Sequence, residues 1–148
     1  MESSNAGDFR ALTIVAFALM TGLALFIVVV YFLVSSGSQV STQTLLGPGK
    51  NLLLVSAIGL TSLSGSRFLA GKVLAGVPRE QRKDFGTALV GYRAGVILRL
   101  AMLEGAGFLA CVFALLTGDL KLLLVAGFML AMMWLVRPTE TEFAEWRG

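Results

Sequence analysis

Two ionisable side chains, Arg99 and Glu104, interrupt an apolar run that extends from Ala94 to Leu116. Glu104 stands twelve residues from both Tyr92 and Leu116, or about 18 Å of helix in each direction. If the run crosses a bilayer, the carboxyl lies near its midplane, where an unpaired charge costs from about 3 to more than 10 kcal/mol. It must face a bundle interior, be neutralised, or find a partner. Arg99 lies nearer the charged end of the run and can snorkel towards headgroups. The two are five positions apart, about 140° around a helix, so they do not stack as residues at i and i+4 do. Two chemistries follow. Glu104 could carry protons or bind a cation, or it could form a structural polar pair with Arg99 or contact another subunit. No second acid lies in the apolar runs to build a relay, and no broken helix marks a substrate site.

Other chemistry is poorly supplied. The chain has no histidine, which removes the commonest general base and metal ligand together. Its single cysteine, Cys111, lies in an apolar run and reads as a small buried residue, with no partner for an intramolecular disulfide. Serines are abundant, but no base accompanies them. No His/Cys/carboxylate cluster suggests a metal, and no glycine-rich cradle suggests a phosphate. The expectation is a non-enzyme with no cofactor and no metal.

The elements that position Arg99 and Glu104 are membrane spans. Of 148 residues, 56% are hydrophobic and 14% charged, where a soluble domain carries about a quarter charged. The mean hydropathy is +0.82, and the apolar residues are gathered into long runs. Four spans are expected, at about 11–34, 51–75, 94–116 and 120–136, in a single domain. The first reads as a retained span: its apolar stretch is too long for a signal peptide and no clean cleavage site follows. Between the first two spans lies a polar stretch, Ser35 to Lys50, ending in Gly47-Pro48-Gly49. Segment 76–93 is a basic loop in which Pro78 opens a short surface helix. Thr117-Gly118-Asp119 makes a tight turn, Arg137-Pro138 stops the last span, and the acidic tail 139–148 is expected to be loosely ordered. Before their arginines the second and fourth spans are short, and Arg67 and Arg137 lengthen them by snorkelling.

Charge sets the orientation. Arg10, Arg67, Lys72, Arg79, Arg82, Lys83, Arg93, Arg137 and Arg147 fall on one side, against Lys50 and Lys121 on the other. The basic side, with both termini, is expected to be cytoplasmic. This arrangement also accounts for the net charge of +3 without nucleic acid, since the bases flank apolar runs and are not interleaved with aromatics.

An internal repeat is suggested by setting Phe9-Arg10-Ala11 over Tyr92-Arg93-Ala94. Ala18 then meets Ala101 and Gly22 meets Gly105, while Leu52-Leu53-Leu54-Val55 matches Leu122-Leu123-Leu124-Val125 and Arg67 matches Arg137. Both halves enter from the same side, so the repeat is parallel. The expected fold is therefore all-α, a polytopic four-helix bundle of two parallel helical hairpins. Small residues at spacing four mark contact faces in membranes: Ala18 with Gly22, Ala101 with Gly105, and the series Ala57, Thr61 and Gly65. The repeat places Thr21 opposite Glu104, and Thr61 and Ser64 of the second span are further candidates to hydrogen-bond the carboxyl.

The stretch Arg99-Leu100-Ala101-Met102-Leu103-Glu104-Gly105-Ala106, closing with Leu115-Leu116-Thr117-Gly118, resembles a motif of small uncharacterised four-span bacterial inner-membrane proteins. The Arg137-Pro138-Thr139 ending is similar too. The resemblance covers most of the chain and implies a bacterial inner membrane, without implying an activity. The order Ala57 to Gly65, Arg82, Glu104 is also similar to rotor-ring subunits of rotary ATPases. The dense glycine repeat is missing, however, and Arg99 adds a positive charge to the acid-bearing helix. Expected partners are the lipid bilayer and either further copies of the chain or a membrane complex.

Overall fold

The computed structural model describes residues 2–37 and 49–148, and among them there are helices and no strands. Six helices follow in order: α1 (Glu2–Ser35), α2 (Lys50–Ala75), α3 (Arg79–Lys83), α4 (Phe85–Thr117), α5 (Leu122–Leu135) and α6 (Glu140–Arg147). Most of the polar stretch between the first two spans, residues 38–48, lies outside those described.

Local sequence explains where the helices start and stop. α4 begins at Asp84, whose Oδ2 accepts hydrogen bonds from the Thr87 N–H at 2.9 Å and the Thr87 hydroxyl at 2.7 Å. These satisfy donors at a helix start that would otherwise be orphaned. α4 ends at Gly118, which takes φ 70° and donates its N–H to the Ala114 carbonyl at 2.8 Å. Glycine is the residue that adopts this left-handed cap at no steric cost. Pro78 precedes α3, and its carbonyl accepts from the N–H groups of Gln81 and Arg82.

α4 is the central helix, with twelve buried residues against five in α2 and four in α5. It packs on α1, α2 and α5, while α5 also touches α1 and α2. In cross-section this is a rhombus with α4 and α5 on its short diagonal and α1 and α2 at the far corners. α1 runs parallel to α4, with Phe26 and Phe108 ring centroids 5.0 Å apart and Leu23 pressed on Gly107. α2 runs antiparallel to α4, with Leu74 against Gly95 and Met102 against Gly65. At Gly59 the Cε of Met129 lies 2.6 Å from where a β-carbon would stand, so α2 and α5 meet there in parallel.

α1, α2 and α4 are long and apolar enough to cross a membrane; α5 passes the same test only when joined to α6, from which it is bent by 60°. Alone, α5 has 14 residues, about 21 Å of rise. The outward faces carry large apolar side chains, among them Ile14, Leu25, Leu53, Phe68, Leu124 and Leu135. A soluble monomer does not display so continuous an apolar surface. The chain is a multi-pass membrane protein.

Three expectations need correction. The two halves are not equivalent hairpins: α4 and α5 pack closely, but α1 and α2 are separated across the rhombus. The short helix expected after Pro78 is present as α3, but the loop of segment 76–93 ends early, since α4 already begins at Phe85. Last, the tail is not loose. Thr139 accepts a hydrogen bond from the Glu142 N–H at 3.3 Å, α6 forms, and its Phe143 is buried against Phe9, Phe85, Tyr92 and Trp146. Arg82 ties this end together. Its guanidinium donates to the carbonyls of Leu74 and Val77 at the end of α2, each at 3.0 Å, and lies over the Trp146 ring at 4.8 Å.

Candidate functional site

Glu104 lies at the seam between α4 and α1. A β-carbon on Gly22 would stand 3.9 Å from Oε1 of Glu104, an ordinary contact distance, so the carboxyl lies against α1 at Gly22. Glu104 is half-buried and, among the described residues, makes no hydrogen bond or ion pair. Around it the outer surface is built from small residues. Ala18, Thr21, Ala101 and Gly105 are all exposed, and a β-carbon on Gly105 would touch nothing within 4 Å.

Height and direction therefore part company. The repeat register brings residues 21 and 22 to the level of Glu104, but Thr21 points outward and Gly22 makes the approach. Ala18, Ala101 and Gly105, expected as packing positions, are not packed within this chain. Thr61 and Ser64 are not near the carboxyl either. Both are exposed on α2, and Thr61 donates its hydroxyl to its own helix, at the Ala57 carbonyl (2.8 Å). The side of α4 that meets α2 is marked by Met102, and Glu104 is about 200° round the helix from it. Ala57 is exposed as well, whereas Gly65 does pack: a β-carbon there would stand 3.2 Å from Cε of Met102.

The structural pair of Arg99 with Glu104, which the 140° separation did not favour, does not form. The partner of Arg99 is in the tail: its Nη1 lies 3.7 Å from Oε1 of Glu142. The pair is partly solvated, and at this distance it is a weak electrostatic contact with little hydrogen-bond character. The Tyr92 hydroxyl lies beside the same carboxylate but makes no hydrogen bond, and Nε of Arg99 is also buried without one. Arg67 is near enough to act on Arg99 electrostatically. The result is a small polar cluster under α6, containing Tyr92, Arg99 and Glu142. Sequence reasoning missed Glu142 because it assigned the tail no fixed structure. The available signal was Thr139-Glu140-Thr141-Glu142, the S/T-x-x-E pattern that opens helices.

Among the described residues, no group of three or more His, Cys, Asp or Glu side chains is placed to hold a metal ion. No family model matches the chain, and no match was found among curated proteins or solved structures.

Proposed function

We propose that this chain is a non-catalytic membrane subunit or accessory protein that uses the α1–α4 face around Glu104 to dock against another membrane helix. The observation that carries the reading is Glu104 itself: a half-buried carboxyl, without a partner among the described residues, on an outward seam lined by Gly22, Ala101 and Gly105. A polar group in hydrocarbon gains from a partner across a helix interface, and small residues let the backbones approach closely enough to supply one. The partner helix belongs either to a further copy of the chain or to a membrane complex. In this reading the chain has four spans, with α5 as the last, extended by Lys121 and Arg137 at its ends. Both termini are cytoplasmic by the distribution of basic residues, and the home is a bacterial inner membrane, on the strength of the sequence resemblance above.

A second reading draws on the same unpartnered carboxyl. With no hydrogen bond to hold it, Glu104 is free to take up a proton or cation, as a small transporter or channel requires. Its place at a lipid-facing seam, away from the bundle interior, favours docking over conduction. Purified protein in liposomes separates the two when native chain and Glu104→Gln are compared for proton and cation flux and for oligomer size. Docking predicts no flux from either, and an assembly that tolerates Gln, which can still hydrogen-bond. Flux that vanishes in the variant, with assembly unchanged, would overturn the subunit reading.

A further inference from the structure

At the end of the bundle opposite α6, α2 and α5 diverge from their contact at Gly59 and Met129 and leave a groove of about 390 Å³ between them. Its walls are Leu52, Leu60, Leu124 and Phe128, with Ser56 its one uncharged polar residue, and Lys121 stands at its rim. From Leu60 to Leu52 the groove follows eight residues of α2, about 12 Å. It runs from the level of the Gly59–Met129 contact towards the end where α2 and α5 begin.

The charges at that end are cationic. Lys121 and Lys50 are both exposed, and neither forms an ion pair among the described residues. The acid in the neighbouring turn, the partly exposed Asp119, engages its own turn, its Oδ1 accepting from the Lys121 N–H at 3.0 Å, and with the two lysines leaves this end net positive. The segment between the first two spans, residues 35–50, contains no acid. An apolar groove with lysines at one end complements a molecule with a hydrocarbon chain and an anionic head. A helix, about 10 Å across with its side chains, would have to lie along the whole face and would bury Lys121 beside it.

We propose that the α2–α5 groove is a binding site for one acyl chain of an anionic phospholipid, with Lys121 on the phosphate. The lipid enters from headgroup level and its chain ends at the Gly59–Met129 contact. This site is separate from the Glu104 seam and does not depend on the docking reading.

Native mass spectrometry of the full chain, released from nanodiscs of phosphatidylglycerol or phosphatidylcholine, tests it directly. The expected result is one retained phosphatidylglycerol per chain, with phosphatidylcholine held about fivefold more weakly, the factor for about 1 kcal/mol from one lysine beside an anionic head. Lys121→Ala should remove that headgroup preference. Ser56→Trp should fill the slot and abolish retention of both lipids, with Leu60→Trp, at an exposed position, as the second blocking variant should the first not fold. Leu53→Trp, on an outward face of α2 that does not line the groove, should change nothing. Lipid retention unaffected by both blocking variants, or no retention by the native chain, would overturn the proposal. A blocking variant that splits an oligomer and leaves lipid retention intact would assign the groove to a second copy instead, and would overturn it equally.

Discussion

Replacing Phe143 by alanine should release α6 from the bundle while leaving the spans intact. The ring is 5% exposed, with centroids 5.0 Å from Tyr92, 5.4 Å from Phe85 and 6.1 Å from Phe9. Truncating a buried phenylalanine costs about 3–5 kcal/mol. The other anchors are weaker. The Arg82–Trp146 contact contributes about 0.5–2 kcal/mol, and the partly exposed Arg99–Glu142 pair about 0–1 kcal/mol. An eight-residue helix does not hold its own shape in water, so undocking and unfolding of α6 are one event. A loss of about 3 kcal/mol corresponds to a roughly 10²-fold increase in the open population.

Hydrogen exchange read by mass spectrometry on the peptide covering Glu142 to Arg147 is the assay. In Phe143→Ala these amides should exchange about 10²-fold faster, with peptides from α1, α2 and α4 unchanged. Glu142→Gln should accelerate them no more than about fivefold, the most an exposed ion pair is worth. Equal effects from the two variants would refute the claim that packing, and not charge, docks the tail. So would native α6 amides that already exchange at the rate of an unstructured peptide.

Two glycines on opposite faces of α4, two residues and about 200° apart, should respond in opposite directions. At Gly107 a β-carbon would stand 2.7 and 2.9 Å from the two Leu23 methyls and 3.4 Å from its Cγ. Gly107→Ala should therefore destabilise by about 1–3 kcal/mol of overpacking, offset by up to about 1 kcal/mol of helix propensity. At Gly105 nothing stands in the way, and the alanine variant should be neutral or stabilised by up to about 1 kcal/mol; thermal unfolding in detergent ranks the pair, and a reversed order would refute the packing assigned to α1 and α4. The Asp84 carboxyl is held below its usual value by the hydroxyl, and then the N–H, of Thr87. Its folded pKa lies below the unfolded value of about 3.9, so its stabilisation is present above that pH and is lost as pH falls through the folded pKa. Between pH 5 and 2 the native chain should thus lose stability relative to Asp84→Asn, measured by exchange at the first turn of α4; parallel curves would refute the cap's role.

The long spans were legible because hydrocarbon leaves the backbone little choice: a run of apolar residues with no charge must satisfy its own hydrogen bonds, and a helix does so. What the apolar pattern hid were the wet ends. Residues 85–93 read as loop because three basic residues, Arg79, Arg82 and Lys83, crowd the segment before them, yet the Asp84 cap starts a helix there. Phe143 and Trp146, three positions apart behind the Thr139 cap, marked an apolar face on a helix too short to register as a span. At the site the repeat register gave height along the bundle but not rotation. One residue is about 100° of helix, which is the whole difference between Thr21 facing outward and Gly22 facing Glu104. In the same way, small residues at spacing four indicate that a close approach is allowed, without saying which neighbour makes it. Gly65 is approached from within the chain; Ala18, Ala101 and Gly105 are not.

That last division bears on function more than any single contact. α4 is covered on three sides by α1, α2 and α5, and its uncovered stripe is Val90, Ala94, Ile97, Ala101, Gly105 and Val112, all exposed. A helix face meant only for lipid has no need of small residues, because acyl chains adapt to any apolar shape and bulky side chains give more contact. Here the innermost helix places two small residues, Ala101 and Gly105, side by side on its open face between the bulkier Ile97 and Val112, with a carboxyl that has no partner among the described residues at the edge. The inner contacts use glycine differently, each seating one large side chain such as Leu23 or Met129. An open stripe of this kind leaves space for a backbone, and in a bilayer the backbone that fits it is another helix. The composition of α4's free side thus supports a chain whose bundle is completed from outside, and it does so independently of whether Glu104 is charged.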